Sequence, residues 1–131
     1  MSVVSTSAPA AISPVLFVLR NADMTLTTDQ VFSKVGTFTT YAVESVYAVR
    51  KTGAFGVACV GGVYTGAAKT GSNVLAAAQV WSALTGAGTM QYATLANLLQ
   101  AALTATPILN LTTGNTGALT ADLFITGISL D

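Results

Sequence analysis

Alternation of apolar and polar positions with a period of two dominates this chain. It is clearest over residues 38–51, where Tyr41, Val43, Ser45, Tyr47 and Val49 fall on one face and Ala42, Glu44, Val46, Ala48 and Arg50 on the other. β-branched and aromatic residues at that spacing predict a long strand. Thr52-Gly53 reads as a turn and residues 55–60 as the returning partner, so 38–64 is expected to form a hairpin. Upstream, Pro14 introduces Val15-Leu16-Phe17-Val18-Leu19, which reads as a buried strand. Asn21-Ala22-Asp23 reads as a turn, residues 24–28 as a half-exposed strand, and Val31-Phe32 as a further extended piece. Downstream, strands are expected near 89–94, 108–112 and 119–129. The turn residues Gly114-Asn115-Thr116-Gly117 join the last two into a second hairpin.

Two stretches carry a helical signal. In 74–84, VLAAAQVWSAL, the residues Val74, Ala77, Ala78 and Trp81 share a helical face. Gly71 and Gly86 bound only a short element there, and its small residues also suit close packing between sheets, so an extended or irregular segment is favoured. Leu95, Leu98, Leu99 and Leu103 have helical spacing, and 95–104 reads as a short amphipathic helix. Residues 1–13 are Ser, Ala and Thr with little periodicity, an N-terminal arm ahead of one β domain spanning 14–131. Short strands at this spacing predict an all-β fold, a β-sandwich or jelly roll.

Composition narrows the function. The 131 residues suit one domain with a sizeable core. Only 8% of them are charged, the net charge is zero and the mean hydropathy is +0.65. A surface so poor in charge favours association with partners. With no basic excess, a phosphate-binding nucleic-acid surface is not expected. No stretch approaches the ~20 apolar residues of a membrane span, and no signal peptide is evident, so synthesis in the cytoplasm is expected.

Candidate chemistry is sparse. The chain has no histidine and one cysteine, Cys59, which sits in an apolar run and reads as a small buried hydrophobe. Zinc sites and histidine-activated nucleophiles are therefore not expected. Gly66-Ala67-Ala68-Lys69-Thr70 faintly evokes a phosphate-binding loop but has Ala68 and Val63 where that pattern needs glycine, and a plain surface loop is the default. Asp23 and Asp29 could meet as general acid and base, although turn-forming and capping roles are commoner. Asp122 is expected to blunt a strand edge more than to ligate a cation. Lys34, Arg50 and Lys51 are too dispersed for anion recognition. Asn110-Leu111-Thr112 matches a glycosylation acceptor, without meaning unless the chain is secreted. No catalytic, cofactor-binding or metal-binding residue is expected. A sugar site would want exposed aromatics, for which Trp81, Tyr64 and Tyr92 are the candidates, with Trp81 expected in the core or an interface.

The loop GGVYTGAAKTGS, followed by AAAQVWSALT, resembles small proteins encoded beside head genes in tailed bacteriophages. The C-terminal LNLTTGNTGALTADLFITG is similar to the same group, and the resemblance covers roughly 38–131. It implies a virion structural protein, a capsid decoration (cement) protein without catalysis or cofactor. Such a protein sits on the outer capsid surface, commonly as a homotrimer, and clamps the major capsid protein. The arm, residues 1–14, and the loop 61–72 are the expected contacts. The alternative is a carbohydrate- or host-receptor-binding β-sandwich module of a phage tail or fibre.

Overall fold

Alternating apolar residues form eight strands among residues 14–53, 58–85, 90–96 and 102–131, the part of the chain that the computed structural model describes. They are β1 (Val15–Asp23), β2 (Gln30–Val31), β3 (Ser33–Lys34), β4 (Tyr41–Gly53), β5 (Val60–Tyr64), β6 (Met90–Tyr92), β7 (Ile108–Thr113) and β8 (Leu119–Ser129). All pairings are antiparallel, in a five-stranded sheet ordered β3-β1-β8-β4-β6 and a three-stranded sheet ordered β2-β7-β5. The all-β expectation holds. The arm at 1–13 lies outside the described residues.

The two sheets share one apolar core. β8 contributes Leu119, Ala121, Leu123 and Ile125 from one face, and β7 contributes Leu109 and Leu111. At one end Phe17, Phe38 and Tyr41 pack edge to face, with ring centroids 4.9–5.8 Å apart. The Tyr41 hydroxyl donates to the Ala105 carbonyl at 2.5 Å, and burial pushes its pKa up to about 12. Trp81 is fully buried, and its indole N–H donates to the Gly61 carbonyl at 3.1 Å. This matches its expected place in the core.

Segments that switch sheets close the structure at both sides. After β2 pairs with β7, buried Phe32 turns the corner, its N–H donating to the Pro107 carbonyl at 3.1 Å, and β3 then pairs with β1. On the other side β6 pairs with β4. The chain then leaves that sheet through Ala93, whose N–H donates to the Val46 carbonyl, and Leu95 bridges to Leu75 beside β5. Such corners cover the unpaired backbone of sheet edges, an exposed template for aggregation.

Pairing differs from the sequence expectation at both hairpins. β4 pairs with β8 and β6, while β5 lies in the other sheet beside β7; residues 54–57 lie outside the described residues. Gly53 is not a hairpin turn but the last paired residue of β4. At φ +121° it packs so close to β8 that a Cβ would stand 2.0 Å from the Ala118 carbonyl oxygen. β7 and β8 likewise belong to different sheets, and residues 114–117 cross between them, held by the Asn115 N–H on the Met24 carbonyl at 2.7 Å.

Local readings change as well. Asn21-Ala22-Asp23 continues β1 through a bulge, with Asn21 at φ +53°. The expected strand at 24–28 is instead a turn, because the Asp23 carboxylate accepts from the Thr25 N–H (3.0 Å) and hydroxyl (2.6 Å). Of the expected helix at 95–104, residues 97–101 lie outside the described residues. Its described ends are extended, Leu95 bridging Leu75 and Leu103 bridging Tyr41. Strands expected at 55–64 and 89–94 are shorter, and 74–84 is irregular, as favoured, with one 3-10 turn at Ser82–Thr85.

In β4 the register shifts by one residue between Val43 and Ser45. Tyr41 and Val43 face the core before this bulge, Val46 and Ala48 after it, so the single-faced reading of the strand fails there. Tyr47 and Val49 are turned outward.

Trp81→Ala should destabilise the fold by about 3–5 kcal/mol, since it removes a fully buried ring and leaves the Gly61 carbonyl without its donor. Urea unfolding followed by far-UV circular dichroism checks this.

Candidate functional site

The outward bulge of β4 and the strict alternation of β8 bring aromatic side chains together on the outer face of the five-stranded sheet. Phe124 lies between the core residues Leu123 and Ile125, so the pleat points it away from the core. Tyr47 is its cross-strand partner in β4, and Tyr92 in β6 is the partner of Tyr47 on the other side. Tyr47 and Phe124 stack with centroids 5.1 Å apart at 21°, and Tyr47 and Tyr92 lie 5.2 Å apart at 39°. The Arg20 guanidinium of β1 sits 5.4 Å over the Phe124 ring. Four neighbouring strands thus contribute one continuous row, Tyr92–Tyr47–Phe124–Arg20.

Ring orientation decides what the row can bind. Tyr47 has a neighbouring ring on each side, and Phe124 is flanked by Tyr47 and by Arg20. Among the described residues the rings of Tyr47 and Phe124 thus have neighbours on both faces, while Tyr92, at the end of the row, is 62% exposed. A sugar stacks on an open ring face, and this row offers little of that. Packed ring edges with tyrosine hydroxyls and an arginine suit a protein surface, where Tyr and Arg are the residues most enriched in binding energy.

Asp122 supports the row from beside Phe124 on the same face of β8. Its carboxylate accepts from the Asn21 N–H at 2.8 Å and the Arg20 guanidinium at 3.2 Å, with the Lys51 ammonium 3.9 Å away. Its side chain is only 13% exposed. The Asn21 N–H in the β1 bulge, then the Arg20 and Lys51 charges, hold its pKa below the ordinary carboxylate value. Asp122 is thus no edge guard. It stands on the central strand, caps a bulge and orients Arg20 over Phe124.

The other candidates are dispersed. Tyr64 and Trp81 are buried, which removes two of the three candidate sugar platforms. Burial pushes the Cys59 thiol up to about 11, so it is a poor nucleophile at neutral pH. Asp23 is committed to the Thr25 turn. Asp29 accepts from the Asn110 amide at 2.6 Å and from the Ala68 N–H, so the two carboxylates serve separate donor sets. The Lys34 ammonium donates to the Phe38 carbonyl and lies 4.9 Å over its ring, and Arg50 donates to the Leu84 carbonyl. Among the described residues no three His, Cys, Asp or Glu side chains cluster as metal ligands. Tyr47, Phe124 and Arg20 escaped the sequence reading. The alternation in 119–129 marks Phe124 as outward, whereas the β4 bulge hides Tyr47.

No family model, curated protein or solved structure matches the chain. Function therefore rests on this geometry.

Acid titration tests the Asp122 support. With the folded pKa lowered, the unfolded chain takes up a proton at its ordinary value near ~3.9 while the folded protein still holds the carboxylate ionised. The stability it contributes is complete above about pH 5 and is lost as pH falls through the folded pKa. Asp122→Asn should lower stability at pH 7 and flatten its decline below about pH 5, read from urea midpoints across pH. An unchanged slope would remove the assigned role.

Proposed function

We propose that the chain is a non-catalytic structural module that docks on another protein through the Tyr92–Tyr47–Phe124–Arg20 row. The observation that carries this reading is a self-stacked row on a sheet face, with Tyr47 and Phe124 half-buried and Tyr92 exposed, in a chain with 8% charged residues. A monomer has no need to leave such a surface in water, and an interface does. The resemblance of 38–131 to small phage head-gene neighbours suggests the partner: the major capsid protein of a tailed bacteriophage. In this reading the chain decorates the outer capsid surface, as a homotrimer, and stabilises the shell by bridging its subunits. Bridging converts several weak contacts into strong retention.

A glycan- or receptor-binding role would have to use the open face of Tyr92 alone on this side of the molecule. The packing of the other rings favours a protein partner.

Tyr92→Ser tests the reading with little risk to the fold, since the side chain is 62% exposed on an edge strand. Attachment to purified shells should weaken by about tenfold or more, as for a central interface tyrosine, with the melting temperature nearly unchanged. Full occupancy of shells by the variant would show that the row is not the contact, and failure of the unaltered chain to bind shells would remove the capsid as partner.

A further inference from the structure

On the opposite sheet the structure builds a second, polar feature. Asn110 alternates in β7 with the core residues Leu109 and Leu111, so its side chain lies on the outer face of the three-stranded sheet. There the loop preceding β2 and the loop following β5 enclose an open cleft of about 390 Å³ lined by Thr27, Thr28, Asp29, Ala68, Lys69 and Asn110. The volume is at the low end of small-ligand sites, roughly ~300–1,000 Å³.

The cleft is built around one carboxylate. Asp29 accepts from the Asn110 amide nitrogen at 2.6 Å and from the Ala68 N–H at 3.1–3.2 Å. Ala68 and Lys69 both adopt left-handed backbone, at φ +54° and +64°, an uncommon state for side-chain-bearing residues and one associated with functional sites. The turn thus aims its Ala68 N–H at Asp29 and leaves Lys69 on the rim. The Thr65 hydroxyl, accepting from the Ser72 N–H at 2.8 Å, and the Thr70 hydroxyl, donating to the Ala67 carbonyl at 2.6 Å, lock the loop.

Unused hydrogen-bonding capacity remains. Asn110 is 5% exposed, and because Asp29 fixes its amide nitrogen, its Oδ1 faces elsewhere without any donor. A buried oxygen without a partner is rare and calls for a missing donor. Among the described residues the Thr27 and Thr28 hydroxyls meet no protein partner, and no carboxylate lies within 4 Å of the Lys69 ammonium.

We propose that this cleft binds a neutral polyhydroxylated ligand, a saccharide unit whose vicinal hydroxyls donate to Asp29 and accept from Lys69, with Thr27 and Thr28 alongside. The charges at the site decide the class. Asp29 already fills the backbone donor of the loop with a negative charge, which disfavours phosphate, and Lys69 disfavours a metal cation. A sugar hydroxyl donates and accepts at once, the combination these groups require. The site is independent of the aromatic row.

Titration of the ¹⁵N-labelled chain with lactose, maltose, cellobiose and N,N′-diacetylchitobiose tests this, with inorganic phosphate and calcium chloride in parallel. At least one sugar should shift the amides of Thr28, Asp29, Ala68 and Lys69 with millimolar affinity. Thr28→Val, which removes a hydroxyl without a protein partner, and Asp29→Asn should each weaken binding by about tenfold. Tyr92→Ser should leave it unchanged. A polysaccharide binding where free disaccharides do not would identify a polymer as the source of the same chemistry. Silence toward every sugar and polysaccharide, equal binding by Thr28→Val, or shifts only with phosphate or calcium would overturn the proposal.

Discussion

The continuity of β8 is the constraint on which the rest of the molecule depends. It runs through the centre of the five-stranded sheet, and every register shift in its two ladders inserts the extra residue in a neighbour, at Leu16 and the Arg20–Asn21 step in β1 and at Glu44 and Lys51 in β4. Because β8 alternates without interruption, its inner residues 119, 121, 123 and 125 fill the core, while Thr120, Asp122, Phe124 and Thr126 form the centre of the outer face. A slip of one residue would exchange the two sets, placing a carboxylate in the core and leucines in water. The bulges are what allow β1 and β4 to follow this strand. They increase the local twist and re-aim side chains, and so Arg20 and Tyr47 come to flank Phe124. Gly127 permits an approach as close as that at Gly53: a Cβ there would stand 2.0 Å from the Ala42 carbonyl oxygen.

The long strands β1, β4, β7 and β8 were legible, because period-two burial is a property of local sequence. Their partners were not. Thr52-Gly53 and 114–117 carry residues that serve tight turns, yet glycine is also the residue that lets two backbones touch, and local sequence does not distinguish these uses. The bulges hide for a similar reason. Nothing in Val43-Glu44-Ser45 announces an extra residue, which exists only relative to the Gly127–Thr126 step opposite. The aromatic row was half legible: Phe124 could be placed outward from its own strand, whereas Tyr47 could not be assigned a face without the register shift. Asn110 was singled out only as the first residue of a glycosylation-acceptor match, and its bond to Asp29, 81 positions away, is invisible to any local pattern.

With so few charges, the placement of each carries information. Asp131 accepts from the backbone and hydroxyls of Thr39 and Thr40, which hold its pKa well below the usual range and fasten the end of the described chain to the start of β4. Asp122 and Asp29 do comparable work beside the row and in the cleft. In each case a carboxylate organises backbone donors that a strand or loop leaves unsatisfied, and charge-assisted bonds of this kind are the stronger ones. The chain concentrates its polar bonding where the backbone departs from regular pairing.

Closure of the edges determines which surfaces remain for binding. The segment containing β2 and β3 occupies one side of both sheets, and the segment from β6 to Leu95 occupies the other. The two outer faces differ in kind: one carries packed ring edges supported by an ion pair, the other a small cleft rich in hydroxyl, amide and charged groups. A surface that binds through packed aromatics loses water on contact and gains from area, whereas the cleft gains by completing hydrogen bonds that the fold leaves open. Because these faces belong to different sheets, the row and the cleft share no side chain.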